Sequence, residues 1–309
     1  MKQLILRWLL ISFAVFCLGF SNASANAWQV IERDGLILHH QLSDSLLAKR
    51  FLDELVLQRE VVRKKLGHIA PIPITVYLAP SQSDFDALTH GRLPHWSAAV
   101  AMPVSRTIVL KAGNFERRIQ TIQHELSHVL LHGAVGRVPV WFNEGVAMWV
   151  SHEWRLQHTA SVLYAVLSGG LIPLSEIDSV LQFPSVKADL AYTESLLAVL
   201  YIMHLGGENA IVAMISELSH GAPFDVALFR VTEKTPYEFE GAWQDYVSGR
   251  FSVTALLVSP DSLWGYLVLL FLVASVAVRL RNRAKLRRWE DEERFEEAQL
   301  KVYRAEDEP

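Results

Sequence analysis

Two histidines and a glutamate within five consecutive residues have the types and spacing needed to bind a metal ion and activate water. His124, Glu125 and His128 form the pattern H-E-x-x-H inside a segment of helical periodicity. Residues four apart lie on one face of a helix, with Cβ atoms about 5 to 6 Å apart, so both imidazoles can bind one zinc ion. Glu125 could then take a proton from a zinc-bound water and deliver it to a leaving amine, which is peptide hydrolysis without a covalent intermediate.

A catalytic zinc site usually has three protein ligands, so a further ligand is expected. His132 is near in sequence, but eight helical residues place it about 12 Å from His124, too far to share one ion. The extended H-E-x-x-H-x-x-G-x-x-H pattern is absent as well, because Leu131 and Ala134 stand where it needs glycine and histidine. The third ligand must come from another segment.

Glu144, sixteen residues after His128, is the better candidate for the third ligand. A second helix is predicted to open at Pro139, and the loop before it lets this helix turn back toward the first. Gly145, beside the glutamate, would allow two helices to approach closely. An ordinary surface glutamate in a helix is the alternative. We therefore predict a zinc site made by His124, His128 and Glu144.

The surrounding segments indicate a mixed α/β half followed by an all-helical half. Strands are predicted at residues 36–41, 73–78, 96–102 and 107–111. Helices are predicted at 44–66, 82–89 and 115–131, the last ended by Gly133, and then at 162–167, 176–181, 192–204, 209–218, 223–229 and 236–247. We accordingly expect an α/β subdomain over residues 28–155 and a helical subdomain over 156–252.

The first 27 residues have the features of a secretory signal peptide. A basic start precedes an apolar run from Trp8 to Phe20, and the small residues ending at Ala27 form two overlapping A-x-A sequences. An uncleaved anchor is the alternative, but the run is short for a membrane span. Cleavage after Ala27 would remove Cys17, the single cysteine, and leave a chain without thiolate ligands, disulfides or a cysteine nucleophile.

A second apolar run, from Ser262 to Val278, has the length of a short membrane span. Its 17 uncharged residues extend about 26 Å as a helix. Six basic residues follow between Arg279 and Arg288, whereas Arg250 is the single basic residue in the fifteen positions before the run. The positive-inside rule then predicts a transmembrane helix at 262–280, a cytoplasmic tail at 281–309 and the body on the extracytoplasmic, or periplasmic, side of the inner membrane. A buried core helix is the alternative.

Composition excludes one further class of function. The chain of 309 residues is 51% hydrophobic, has a formal charge of -4 and an isoelectric point near 6.3, and carries no basic stripe in its body. Proteins that bind nucleic acids need such a stripe to contact phosphates. We therefore expect no nucleic-acid partner.

The sequence HELSH followed by PVWFNEGVAMW resembles the gluzincin metallopeptidases, in particular the peptidase MA-like group with H-E-x-x-H and then W-x-x-E-G. The resemblance covers roughly residues 36–247. It implies an α+β fold with a small mixed sheet beside two zinc-binding helices, followed by the helical subdomain. It also implies Zn²⁺ as cofactor, Glu125 as catalytic base and a peptide or protein substrate.

The same resemblance implies that residues 97–101 form the edge strand of the sheet and line the cleft. Met148 stands where some gluzincins place a carboxylate that orients a ligand histidine, so that role is left without a residue. Tyr192 and His204 are candidates to stabilise the oxyanion from the helical half, although packed core residues are the alternative reading of both.

The sequence as a whole favours a membrane-anchored zinc metallopeptidase. The competing hypothesis is a catalytically inactive, zinc-stabilised binding or scaffold protein of the envelope.

Overall fold

The computed structural model describes residues 27–42, 45–91, 97–112, 118–153, 156–251, 270–271, 273–279 and 281–283. The chain divides into two units, residues 1–247 and 248–309. The first unit contains the sheet and the helices that carry every candidate site residue.

A five-stranded mixed sheet forms the first half of that unit, in the order β1-β2-β3-β5-β4. The pairs β1-β2 and β4-β5 are antiparallel, whereas β2-β3 and β3-β5 are parallel. The edge strand β1 was not predicted; it pairs with β2 through a two-residue turn in which Asp34 and Gly35 both have positive φ. The strands are β1 (Gln29–Arg33), β2 (Leu36–His40), β3 (Ile74–Ala79), β4 (Ala99–Met102) and β5 (Thr107–Lys111).

Helices cover both faces of the sheet. On one face, Leu78 and Leu110 line a small cavity together with Phe51 of α1 (Ser45–Lys65) and Ile122 of α3 (Arg118–Val135). On the other face, Phe85 of α2 (Gln82–Thr89) packs against Ala79 and Val109. The helix α3 is thus fixed against the sheet along its apolar side, and its polar side is free to carry chemistry.

The second half of the unit is helical, as predicted. Its centre is α6, which makes its most extensive contact with α4. Within α6, Glu194 is fully buried and accepts hydrogen bonds from the Ile172 amide; burial raises the pKa of this carboxyl to about 8. The elements are α4 (Val140–Ser151), α5 (Leu156–Ser168), a 3-10 segment (Leu174–Gln182), α6 (Ser185–Gly206), α7 (Ala210–Ser219), α8 (Phe224–Thr232) and α9 (Pro236–Arg250).

The end of α3 differs from its prediction. The helix continues through Gly133 and ends at Val135, because Gly136 and not Gly133 takes the left-handed conformation that terminates it. The Gly136 amide then donates to the His132 carbonyl at 2.8 Å. Gly133 instead gives room to Ile72, whose Cδ1 atom would lie 2.6 Å from an added Cβ.

Two boundaries and one helix type in the helical half also differ from their predictions. The helix α5 begins at Leu156, earlier than the predicted 162, and α6 begins at Ser185, earlier than the predicted 192. Pro184 directly precedes α6 and is compatible with a helix start, which the sequence periodicity alone did not locate. The segment predicted as a helix at 176–181 is a 3-10 segment.

Several predictions concern residues outside the described ones. Nearly all of the predicted signal peptide, most of the predicted tail and more than half of the predicted span fall there, as do the start of the predicted strand at 96 and of the predicted helix at 115. Among the described residues, no single helix is long and apolar enough to cross a bilayer; α6 and α7 reach that length and composition only together, across a bend of 96°. In the second unit, the described residues from 270 to 283 are helical.

The contact between α4 and α6 depends on a glycine. A Cβ atom on Gly145 would lie 2.2 Å from the Ser195 carbonyl oxygen and 2.6 Å from Val199 Cγ2, closer than non-bonded atoms approach. We expect Gly145→Ala to lower the free energy of unfolding by about 1–3 kcal/mol or more, because backbone would have to move. Denaturant unfolding of the full-length protein measures this loss.

Gly241→Ala is the matched control, because a Cβ atom at this helical glycine would meet no atom within 4 Å. This substitution should leave stability unchanged or raise it by up to about 1 kcal/mol. Equal stability of the two variants would contradict the close approach of α4 and α6.

Candidate metal centre

Two helices bring the three predicted ligands together. His124 and His128 project from the same face of α3, with ring centroids 4.8 Å apart and ring planes at 80°. Glu144 lies in the second turn of α4, which packs against both α3 and α6. The first amide of α4, on Val140, donates to Asp178 Oδ1 at 3.0 Å, so a side chain from the 3-10 segment caps this helix.

The distances between the three side chains match the needs of a tetrahedral metal ion. His124 Nε2 lies 3.6 Å and His128 Nε2 lies 3.5 Å from Glu144 Oε2. Among the described residues, these three form a group whose ligand atoms all lie within 4.8 Å of one another. Zinc bonds of about 2.0–2.1 Å in tetrahedral geometry require ligand atoms about 3.3 Å apart. The donor set therefore fits zinc, and His132 is not part of it.

The electrostatics of the cluster suit a cation. Burial would raise the pKa of Glu144, but the nearby His128 and His124 outweigh burial and lower it. Burial likewise opposes the charged form of His124, yet contacts with Glu144 and Glu153 raise its pKa well above the ordinary value. Carboxylates thus dominate the charge around the two imidazoles, and a buried cation is stabilised at this point.

Glu125 lies between α3 and the edge strand β4. Its side chain is almost fully buried, and it accepts a hydrogen bond from the Ala101 amide. Burial raises the pKa of this carboxyl, while the histidines and the Ala101 amide oppose the rise. The residue predicted as catalytic base is therefore fixed at the sheet edge, beside the ligand cluster.

The register of β4 explains why the Ala101 amide is available to Glu125. The Lys111 amide donates to the Ala98 carbonyl, which makes alternate pairs along β4 and β5 the hydrogen-bonded ones. Ala99 and Ala101 fall between those pairs, so their backbone groups point to the open edge. As the resemblance implied for residues 97–101, β4 is an edge strand.

The structure brings Tyr192 to the cluster and leaves His204 away from it. Burial raises the pKa of the Tyr192 phenol, and the negative charges of Glu144 and Glu125 raise it further. His204 lies twelve residues along α6, about 18 Å away, and its ring stacks on Tyr246 at 5.0 Å. His204 is therefore an exposed residue whose ring contacts are with Tyr246 and Tyr201.

One residue near the cluster was missed in the sequence. Glu153 Oε1 lies 3.5 Å from His124 Nδ1, the ring nitrogen that faces away from Glu144. Met148, at the position where some gluzincins have a carboxylate, is a buried apolar residue. No spacing rule pointed to Glu153, because it follows the end of α4 and its position depends on the turn there.

The comparison with known families agrees with this geometry. Residues 59–249, more than half of the chain, match the sequence model of the Peptidase MA superfamily. The matched range includes the two histidines of α3, Glu144 of α4 and the helical half, and it begins after β1 and β2. No curated protein matches the chain significantly. The chain belongs to the Peptidase MA superfamily, and it is a zinc metallopeptidase, a hydrolase of peptide bonds.

Proposed function

We propose that the protein binds one zinc ion through His124, His128 and Glu144 and cleaves extended polypeptides at the outer side of the membrane that holds it. The observation that carries this proposal is that the Nε2 atoms of His124 and His128 both lie 3.5–3.6 Å from Glu144 Oε2. When bound there, zinc supplies Lewis acidity toward a substrate carbonyl and toward water.

Glu125 is the general base in this proposal. Its carboxylate takes the proton of the attacking water and then delivers it to the leaving amine, so the side chain is regenerated in each cycle. Two features support the role: the residue adjoins the ligand His124 in α3, and the Ala101 amide anchors its carboxylate. A fixed carboxylate holds the water in one orientation, which lowers the entropic part of the barrier.

The open edge of β4 is the proposed place for the substrate. An extended peptide can add to this edge as a further strand through main-chain hydrogen bonds. The Ala99 backbone groups point outward, whereas the outward Ala101 amide is taken by Glu125. A peptide paired at Ala99 would run alongside the catalytic carboxylate, with its carbonyls within reach of the ligand cluster.

Tyr192 is the proposed donor to the oxyanion. A tyrosine phenol is protonated at neutral pH, and the raised pKa of Tyr192 favours this form further, so the hydroxyl can donate a hydrogen bond. The oxygen of the scissile carbonyl gains negative charge during attack, and a fixed donor that meets this charge stabilises the transition state more than the substrate.

The membrane anchor remains a proposal from sequence with one structural support. Described residues of the apolar run are helical, and their apolar side chains are exposed; they include Leu270, Phe271, Val273, Val276 and Val278. Six basic residues follow this run, which favours a cytoplasmic tail. With an exported N-terminus, the catalytic unit would face exported or membrane-proximal proteins.

Zinc content tests the ligand set. We expect full-length protein, purified in detergent, to contain about one zinc per chain, and His124→Ala, His128→Ala and Glu144→Ala to lose it, because two remaining ligands bind zinc far more weakly. Atomic emission measures the metal. His132→Ala is the control on the same helix and should keep its zinc; zinc that is insensitive to all four substitutions would refute the site.

Two isosteric substitutions test the catalytic roles with an unfolded protein such as casein as substrate. Glu125→Gln should keep zinc and lose at least about 100-fold in kcat, because no base remains.

Tyr192→Phe should lower kcat about 10²–10³-fold with little change in KM, because the hydroxyl acts in the transition state. Tyr164→Phe, at an exposed tyrosine of α5, should be fully active.

The result that counts against each role differs. Undiminished hydrolysis by Glu125→Gln would remove the glutamate as base. Full activity of Tyr192→Phe would assign the oxyanion to another donor and leave the zinc site untouched.

Topology is tested by adding protease to the outer side of intact spheroplasts. The catalytic unit should be digested, and an epitope placed after residue 309 should be protected, because the positive residues retain the tail inside. Digestion of the epitope together with an intact body would reverse the orientation.

A further inference from the structure

The two ring nitrogens of His124 face two different carboxylates. Nε2 lies 3.6 Å from Glu144 Oε2, and Nδ1 lies 3.5 Å from Glu153 Oε1. A histidine that binds a metal through Nε2 carries its proton on Nδ1, and this proton needs an acceptor. We propose that Glu153 is the positioning residue of the zinc site: it accepts the Nδ1 proton of His124 and so aims Nε2 at the metal. This inference rests on the proposed zinc role of His124.

The side chains need to move little to form this bond. His124 Nδ1 is buried and makes no full hydrogen bond. A charge-assisted hydrogen bond between nitrogen and a carboxylate has a length of about 2.7–2.9 Å, so the 3.5 Å separation shortens by less than 1 Å when the bond forms. A buried donor without an acceptor is costly, which favours this adjustment.

The turn that ends α4 places Glu153 at this point. In a continuous helix, a residue nine positions after Glu144 would lie on the opposite face, since nine residues make two and a half turns. His152 instead takes the left-handed conformation, with φ 56° and ψ 41°. The Glu153 amide then donates to the Met148 carbonyl at 3.1 Å, and the chain folds back along the helix as in a Schellman motif.

A lysine from α1 holds the same turn. Lys65 Nζ donates to the Val150 carbonyl at 2.6 Å and lies 2.7 Å from His152 Nε2. The Lys65 charge lowers the pKa of His152, which keeps this imidazole neutral and able to accept. The ammonium also lies at the carboxyl end of α4, where the helix dipole favours a positive charge. The backbone next to Glu153 is thus tied to the first half of the unit.

The assignment also accounts for a departure from the family pattern. Met148, four residues after Glu144, has no group that can accept a proton. Glu153 supplies a carboxylate from beyond the helix end, on the other side of the same histidine ring. The turn after α4 thus provides a carboxylate that Met148 cannot provide.

Zinc affinity measured by chelator competition tests this role without relying on activity. We expect Glu153→Ala to weaken zinc binding about 10–100-fold, the usual effect of removing a residue that orients a metal-binding histidine. Glu153→Gln keeps the shape but not the charge, and should weaken binding less. With Co²⁺ in place of zinc, the visible absorption bands of both variants should shift, because the ligand field of His124 changes.

Two further measurements make the outcome decisive. Glu208→Ala, at an exposed glutamate of the same unit, should bind zinc as the unmodified protein does. At saturating zinc, Glu153→Gln should lower kcat more than it raises KM, since substrate binding at β4 is unaffected. Should Glu153→Ala not fold, Glu153→Gln alone decides the question.

The failure of this proposal is separable from failure of the zinc site. If both Glu153 variants bind zinc within threefold of Glu208→Ala while His124→Ala loses it, then Glu153 has no positioning role and the site stands. If His124→Ala also binds zinc normally, the proposed function itself fails.

Discussion

The contact between the Glu144 carboxylate of α4 and the two ligand histidines of α3 is the constraint on which the rest of the first unit depends. Glu144 must face two imidazoles of α3 within 3.5–3.6 Å, although burial of a carboxylate is unfavourable without compensation. The helix α4 is therefore fixed on several sides. Asp178 caps its beginning, Lys65 holds its end, and Gly145 lets its back rest directly on the α6 backbone. A helix held this way keeps its carboxylate in place before any metal binds.

The edge of the sheet contributes a second fixed element. Because Ala101 falls at a position whose amide faces outward, the carboxyl of Glu125 is tied to the same strand that is open to a substrate. An open edge is a risk for aggregation, and β4 limits it by spanning only four residues and by engaging one outward amide internally. In the proposed mechanism, substrate binding and proton transfer would both depend on the backbone of β4, which would hold the peptide and the base at a constant distance.

The sequence could predict whatever depends on local geometry. His124 and His128 are four residues apart in one helix, so their common face follows from helix dimensions alone, and Glu125 directly follows the first of them. Glu144 could be predicted as a ligand because the short loop after α3 limits where the next helix can lie. Glu153 could not be predicted in this way, because its position depends on the left-handed conformation of His152. Residues other than glycine rarely adopt that conformation, so nothing in the sequence indicated it. Gly136 and Gly133 were equally plausible helix ends by type, and only packing against Ile72 distinguishes them.

Tyr192 and His204 both lie on α6, and the sequence alone did not distinguish them as candidate oxyanion donors. The packing of α6 against α4 supports Tyr192 as the proposed one. An added Cβ on Gly145 would overlap the Ser195 carbonyl oxygen, so the two helix backbones are in direct contact three residues after Tyr192. Such a contact has no flexible side chain to absorb a displacement. The phenol of Tyr192 is therefore held relative to Glu144 almost as firmly as if both were on one helix. In the proposed mechanism the helical half would contribute to the active site, because its central helix carries the proposed oxyanion donor and, about one turn later, contacts the ligand helix α4.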